Sequence, residues 1–309
     1  MTAIVLALLA SLGWGSADFL GGLRARHLPL RAVVCGMMAG GLALALLLAA
    51  VTGSGYPGNG VLLAGVVAGV SSMVAVSTLY KALAIGSMSI VSPISAAYPV
   101  VPVVWGLLQG ERPSGLQHAG MALVVAGVVT ASYVCGPAGE GPADDDRAAV
   151  VPLPDVGEGL VGRLRRDAAA HRPRLLASVA LAVVAALASG MVLTALSAAA
   201  TTDPYWGLIV LRTTGLAGLL VVVAAHRGLG VPLRRFPALM GIGALDTAAT
   251  GLFAVATTYG YLSIVSVIAS LFPVTVLALA RLWLGERVRP HQAAGIAAAL
   301  SGVALLAVA

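Results

Sequence analysis

Long runs of residues without a single charged side chain constrain this sequence more than any other feature. Residues 32–51 and 61–80 each supply an uninterrupted run of uncharged, mostly apolar residues. A helix of about twenty such residues spans the hydrocarbon core of a bilayer. Only 10% of the residues are charged, whereas about 25% is usual in a soluble domain. The sequence therefore predicts an integral membrane protein. It is expected to be helical, because backbone polar groups in lipid must be hydrogen-bonded within their own segment.

Apolar runs separated by proline, glycine or charge predict ten membrane-spanning helices. The first run, "MTAIVLALLASLGWGSADF", has no basic segment before it, so it is interpreted as a retained span rather than a signal peptide. Residues 136–174 are rich in Pro, Gly, Asp and Arg and are predicted to form a polar, flexible linker. The predicted spans are residues 2–22, 31–52, 61–81, 87–109, 115–135, 175–199, 204–225, 236–258, 262–283 and 290–309.

The sequences on the two sides of this linker resemble each other. The stretch "GSMSIVSPISAAYP" at residues 86–99 aligns with "GYLSIVSVIASLFP" at residues 260–273. One inserted residue later, the Gly-Glu-Arg of residues 110–112 aligns with a second Gly-Glu-Arg at residues 285–287. Two five-helix repeats are therefore predicted, covering residues 1–135 and 175–309. Because each repeat has an odd number of spans, the second copy enters the membrane in the opposite direction and the repeats are inverted.

The basic residues predict how the chain is oriented in the membrane. Connections that follow the odd-numbered spans contain most of the Arg residues and the only Lys, whereas connections that follow the even-numbered spans contain Arg112 alone. By the positive-inside rule, both termini are expected outside the cell and the linker in the cytoplasm. A multi-pass protein of the cell (inner) membrane is predicted. The first Gly-Glu-Arg should then face outside and the second inside.

Several of these features together resemble the drug/metabolite transporter superfamily, EamA type. They are the ten spans in two inverted halves, the early "WGSADF", and the twice-used proline followed by "GER". The resemblance covers nearly the whole chain outside the linker. It implies an all-α integral membrane fold and a secondary transporter, often an exporter, of small metabolites or drugs. Inverted repeats favour the same class independently, because two related halves can exchange inward-open and outward-open shapes around a site near the midplane.

Motifs for ATP-driven, metal-assisted or enzymatic chemistry are missing from the sequence. The only lysine, Lys81, is flanked by Tyr80 and Ala82 and cannot belong to a Walker A loop. The histidines lack metal-ligand spacing, so no catalytic residue, metal or cofactor is predicted, and the chain is not expected to be an enzyme. Membrane topology explains the net charge of +6 better than nucleic-acid binding does. The expected partners are a small-molecule solute and membrane lipid, with a homodimer as a further option.

Two ionisable residues fall near the middle of predicted spans, where a charge is costly and marks a functional candidate. Asp246 lies in span eight with Thr250 one helical turn later on the same face, and Arg212 lies in span seven. One hypothesis is that Asp246 exchanges a proton or binds a cationic substrate, with Arg212 as its partner or as an anion site. The alternative is a buried structural pair that fixes helix packing.

Span one carries a third candidate. Asp18 shares a helix face with Trp14, which lies one turn earlier. The carboxylate belongs either to the substrate pathway or to the membrane interface, close to Arg24. Trp14 is part of the "WG" pair in the resemblance and is either a cavity wall or a packing residue.

Spans four and nine carry hydroxyls, aromatic rings and prolines at matching positions of the two repeats. Ser92 and Ser266 belong either to the pathway or to a close helix contact that needs small residues. Tyr98 and Phe272 each precede a proline and are candidates for the substrate cavity or its gate. Helix breaks are predicted at Pro93, Pro99 and Pro273.

The sequence as a whole predicts a secondary transporter that moves a small metabolite or drug-like solute across the cytoplasmic membrane by alternating access. Export is the expected direction, with proton exchange or facilitated diffusion as the options for coupling. The alternative is a non-transporting membrane sensor or scaffold that acts through its cytoplasmic linker.

Overall fold

The computed structural model describes residues 1–25, 27–55, 57–85, 88–132, 159–225, 233–284 and 289–309. The first repeat contains α1 (Thr2–Ala25), α2 (Leu30–Thr52), α3 (Asn59–Ile85), α4 (Met88–Ala96), α5 (Val100–Leu108) and α6 (Gly115–Ser132). The second contains α7 (Gly159–Ala200), α8 (Pro204–Ala225), α9 (Phe236–Tyr259), α10 (Leu262–Ala269), α11 (Phe272–Leu284) and α12 (Pro290–Val308), with a 3-10 turn at Leu233–Arg235 before α9.

The described helices form ten apolar spans. Nine segments of the described residues are long and apolar enough to cross a membrane, and α10 with α11 counts as one of them, Leu262–Trp283. The tenth span is divided into the two short helices α4 and α5, end to end. The prediction of an all-α integral membrane fold with ten spans is confirmed.

One predicted boundary differs clearly from the structure. Helix α7 begins at Gly159, whereas the sequence predicted a flexible linker as far as residue 174. The sequence "GRLRRDAAAHR" explains the difference, because Arg, Leu and Ala are strong helix formers and extend the helix backward from the apolar span. Residues 136–158, the remainder of the predicted linker, lie outside the described residues, as do residues 133–135 of the predicted fifth span.

Two of the three predicted helix breaks coincide with interruptions of the backbone. Helix α4 ends at Ala96, and Pro99 precedes the first residue of α5. Helix α10 ends at Ala269, and Pro273 lies in the first turn of α11, where its missing N–H has no helical partner to lose. Pro93, in contrast, lies within α4, which continues to Ala96. Only about one turn of helix precedes Pro93, so its ring displaces little structure there.

The last helices of the two repeats show directly that the repeats are inverted. A Cβ atom on Gly127 of α6 would lie 2.6 Å from the carbonyl oxygen of Gly295 of α12. In the same way, a Cβ atom on Gly295 would lie 2.7 Å from the carbonyl oxygen of Gly127. A Cβ on Gly302 would lie 2.7 Å from the carbonyl oxygen of Gly120. The earlier glycine of each helix thus meets the later glycine of the other, and α6 and α12 run antiparallel.

The same two-fold relation organises the helices around the centre of the molecule. The first helix of each repeat packs against the third helix of the other, α1 with α9 and α7 with α3. Gly15 of α1 and Gly190 of α7 illustrate the symmetry, since a Cβ on either would lie 2.6 Å from a carbonyl oxygen, that of Phe272 or Tyr98 respectively. These contacts place Tyr98 and Phe272 close to the axis that relates the repeats.

A methyl group added at Gly127 is expected to destabilise the protein. In Gly127→Ala the new Cβ would lie 2.6 Å from the carbonyl oxygen of Gly295, and overpacking of this kind costs about 1–3 kcal/mol of unfolding free energy. Gly22→Ala is the matched control, because nothing lies within 4 Å of a Cβ at Gly22. Thermal unfolding in detergent should show a lower melting temperature for Gly127→Ala and an equal or higher one for Gly22→Ala. Equal melting of Gly127→Ala and wild type would contradict the close crossing.

Candidate substrate cavity

A cavity of about 610 Å³ lies between the two repeats. Helices α1, α3, α4, α6, α7, α11 and α12 contribute to its walls. Ser132, the last residue of α6, and Gln292, in the first turn of α12, both line it. The cavity therefore reaches the end of the bundle at which α6 leads into residues 133–158. This end is called the linker end below, and the end at which α5 finishes is called the opposite end.

Three aromatic side chains line the cavity among the described residues. Trp14 comes from α1, whereas Tyr98 and Phe272 occupy matching positions of the two repeats. The ring centroids of Tyr98 and Phe272 are 6.2 Å apart, with the rings tilted by 38°. The structure thus brings together the three aromatic residues that the sequence offered as candidates for a cavity wall or gate. The remaining polar lining side chains, which the sequence analysis did not select, are Ser72, Ser95, Ser132, Ser189 and Gln292.

Asp18 also lines the cavity, one helical turn after Trp14. Its side chain is accessible although it lies within a membrane-spanning helix, because it borders the cavity. Within the described part of the chain, no ion pair or hydrogen bond to Asp18 is present, and it does not pair with Arg24. No Arg, Lys or His is found among the described lining residues. Asp18 therefore supplies a carboxylate without a counter-charge to the cavity wall.

The buried Arg212 and the partly buried Asp246 form a hydrogen-bonded network next to the cavity. Arg212 Nη2 donates a hydrogen bond to the Asp246 carboxylate and another, at 3.3 Å, to Thr250 Oγ1. Trp14 Nε1 donates to the same hydroxyl oxygen at 3.0 Å. The network joins α1, α8 and α9, and Trp14 belongs both to it and to the cavity wall. Arg212, Asp246 and Thr250 are not among the described residues that line the cavity.

Of the paired serines of spans four and nine, only Ser266 has a described side chain, and Ser266 is not among the residues that line the cavity. Ser266 is completely buried in α10, and no hydrogen-bond partner of its hydroxyl is present among the described residues. The side chain of Ser92 lies outside the described residues, as does that of Pro93. Pro273 lines the cavity beside Phe272, and Pro99 is buried at the break between α4 and α5.

Glu111, from the first Gly-Glu-Arg, connects the two repeats at the opposite end. Its Oε1 accepts a hydrogen bond from the backbone N–H of Leu262 at 2.6 Å, and its Oε2 accepts one from Ser263 at 3.1 Å. These N–H groups belong to the first turn of α10, where helical bonding leaves them unpaired. A carboxylate is also the charge that a helix N-terminus favours. The second Gly-Glu-Arg, at residues 285–287, lies outside the described residues.

The start of α10 carries a sequence signal for this contact. Tyr261 precedes α10 and provides no side-chain cap, so the start of α10 lacks the Ser, Thr, Asp or Asn that usually fills this role. The missing cap has to be supplied from elsewhere. Glu111 is an acidic residue predicted on the same side of the membrane.

The matching short helices α4 and α10 have different environments. All residues of α10 are buried, in contact with α1, α5, α6, α7 and α9. Among the described side chains of α4, only Val91 is buried, and Ser95 and Ala96 line the cavity. The two repeats therefore adopt different conformations. The bundle is filled by α10 toward the opposite end, and the cavity runs beside α4 toward the linker end.

Two inverted five-helix repeats around a central cavity define a class of membrane transporter. The sequence matches the EamA-like transporter family twice, over residues 1–133 and 176–308. The chain belongs to this family, which confirms the resemblance, and the two matches fall on the two repeats.

Comparison with individual proteins adds support for the fold alone. A search of curated proteins finds no significant match to this sequence. Among solved structures, one described as "Crystal structure of protein" is similar with a TM-score of 0.73 and 15% sequence identity, covering 99% of this chain and 97% of that chain.

Proposed function

We propose that this protein is a secondary transporter that exports a small metabolite or drug-like solute across the cytoplasmic membrane by alternating access. The contrast between the two ends of the bundle carries this proposal. A cavity of about 610 Å³ reaches the linker end, whereas α10, fully buried and capped by Glu111, fills the opposite end.

The inverted repeats supply a physical route between two such states. Residues 89–92 of α4 and 263–266 of α10 both read Ser-Ile-Val-Ser. Because these local sequences are the same, each helix can adopt the conformation that the other has in this structure. If the repeats exchange conformations, α4 becomes buried and a cavity opens beside α10 toward the opposite end. Two conformations of similar free energy are the requirement for a solute to shift the population between them.

The distribution of charge supports the proposed direction and coupling. The positive-inside rule assigns the linker end to the cytoplasm, so the cavity is open to the compartment from which an exporter takes its solute. We propose proton exchange as the driving reaction, because no Walker A loop is present in the sequence. Asp246 is already paired with Arg212. Asp18 is then the carboxyl group on the cavity wall that can take up and release a proton.

Counterflow in proteoliposomes tests the transport function without any assumption about coupling. Vesicles that contain the purified protein are loaded with an unlabelled solute, and uptake of the same labelled solute from outside is followed over time. We expect a transient accumulation above the equilibrium level for at least one solute in a panel of amines, amino acids, nucleobases and sugars. A scaffold that acts through its linker would give no accumulation with any member, and that result would contradict the proposal.

A further inference from the structure

The charge of the cavity wall points to the charge of its ligand. Asp18 is the only carboxylate among the described lining residues, and that set contains no basic side chain. Arg212, the buried cation next to the cavity, is already neutralised by Asp246. A carboxylate within a membrane-spanning helix is costly unless water or a partner of opposite charge offsets the cost. A cationic ligand in the cavity supplies that partner.

The aromatic rings around Asp18 fit the same kind of ligand. Trp14 lies one turn from Asp18 on the same face of α1, and its ring is held in place by the hydrogen bond from Nε1 to Thr250. Tyr98 and Phe272 form a second aromatic wall, with ring centroids 6.2 Å apart. The faces of such rings attract organic cations by about 0.5–2 kcal/mol each, most strongly in desolvated sites.

The size and lining of the cavity narrow the ligand further. A volume of about 610 Å³ suits an organic molecule, since small-molecule sites measure about 300–1,000 Å³. Ala, Val and Leu side chains make up most of the remaining wall, which suits a ligand with an apolar body. One carboxylate neutralises one positive charge. An anion or a zwitterion would need a basic partner, and the described lining residues offer none.

We infer that the cavity binds a monovalent organic cation with an apolar or aromatic body, held by Asp18 and by the rings of Trp14, Tyr98 and Phe272. The inference rests on the proposed function and names the substrate class of the same cavity. Amines and quaternary ammonium compounds belong to this class. Amino acids, phosphates and sugars do not.

Binding of four small aromatic probes to the purified protein in detergent tests the inference. The probes are benzyltrimethylammonium (a permanent cation), phenylalanine (a zwitterion), 3-phenylpropionate (an anion) and 3-phenylpropan-1-ol (neutral), and calorimetry gives each Kd. We expect benzyltrimethylammonium to bind at least about tenfold more tightly than each of the other three, a difference that corresponds to about 1.4 kcal/mol.

Variants of Asp18 test whether this residue causes the preference for the cationic probe. Asp18→Asn should weaken binding of the cation about tenfold and remove the discrimination between cation and neutral probe. Asp18→Glu keeps the charge and should keep the preference. Asp203→Asn is the matched control, because it removes one carboxylate outside the cavity lining. Asp203 Oδ1 accepts hydrogen bonds from the backbone N–H groups of Tyr205 and Trp206, and Asn is an equally good cap.

The outcomes separate this inference from the proposed function. Tighter binding of phenylalanine or 3-phenylpropionate than of the cation, or unchanged cation binding by a folded Asp18→Asn protein, would overturn the inference. Counterflow of phenylalanine but not of benzyltrimethylammonium would also overturn it and leave transport intact. Asp18-dependent binding of the cation without counterflow of any solute would support the site and contradict transport.

Discussion

Replacing Asp246 with alanine is expected to lower the free energy of unfolding by about 3–5 kcal/mol, because Arg212 would remain buried without its counter-charge. Arg212 is only 5% exposed and donates hydrogen bonds to the Asp246 carboxylate and to Thr250. Thr250 Oγ1 also accepts the hydrogen bond that orients Trp14. The loss should appear as a lower melting temperature in detergent and a lower yield of monodisperse protein.

Two further variants separate the structural role of this pair from a role in transport. The double variant Arg212→Met with Asp246→Leu removes both charges, so it should melt at a higher temperature than Asp246→Ala alone. Asp246→Asn keeps a hydrogen-bond acceptor for Arg212 and is the variant to assay for transport. Normal counterflow by Asp246→Asn would identify a structural pair, and its loss in a well-folded protein would identify a functional carboxyl. Wild-type melting of Asp246→Ala would contradict the described network.

Replacing Glu111 with alanine is expected to open the bundle at the opposite end. The variant loses both hydrogen bonds to the first turn of α10, at 2.6 and 3.1 Å. Hydrogen bonds to a charged group contribute about 1.5–3 kcal/mol each, so even a partial loss shifts the equilibrium between the two states by more than about tenfold. A cysteine at Ser263, completely buried in the wild type, reports the change through its reaction rate with a membrane-impermeant thiol reagent.

The Ser263→Cys reporter is placed in a protein without its two native cysteines. We expect the labelling rate from the opposite side to rise more than about tenfold when Glu111→Ala is added. Ser114→Ala is the matched control in the same loop. Ser114 Oγ accepts a hydrogen bond from the backbone N–H of Gln117 at the start of α6, and none of the described hydrogen bonds of Ser114 reaches α10. Equal labelling rates with and without Glu111 would show that this cap does not hold the end closed.

The spans were predictable because the bilayer itself sets the length of each apolar run. The repeat was predictable because the same residues serve the same purpose twice. Gln117 and Gln292, for example, each accept a hydrogen bond from the backbone three residues earlier, at 2.8 and 3.0 Å, and so cap α6 and α12. The early start of α7 was not predicted because residues 159–174 are polar, although their Arg, Leu and Ala content favours a helix. The continuation of α4 through Pro93 shows that a proline near a helix start need not end it.

The site was predictable in part. Proline positions in the repeats led to Tyr98 and Phe272, which the structure brings together on the cavity wall. The position of a residue along its span could not predict whether Asp246 or Asp18 lines the cavity. That depends on which side of the helix faces the cavity, and the position along the span does not determine it. The contact of Glu111 with Leu262 joins residues 151 positions apart. The uncapped start of α10 indicates that a partner is needed there, but the folded arrangement of the two repeats is what identifies that partner as Glu111.

Thiol labelling of single-cysteine variants from each side of the membrane tests the central claim most directly. The variants are made in a protein that lacks its two native cysteines and keeps Glu111. Ser72→Cys reports the present cavity, and Ser263→Cys reports α10. In proteoliposomes without solute, we predict labelling of Ser72→Cys from the linker side alone and protection of Ser263→Cys. A transported solute on both sides should slow the labelling of Ser72→Cys and allow labelling of Ser263→Cys from the opposite side. Labelling of Ser72→Cys from the opposite side at rest, or rates that no solute changes, would contradict alternating access.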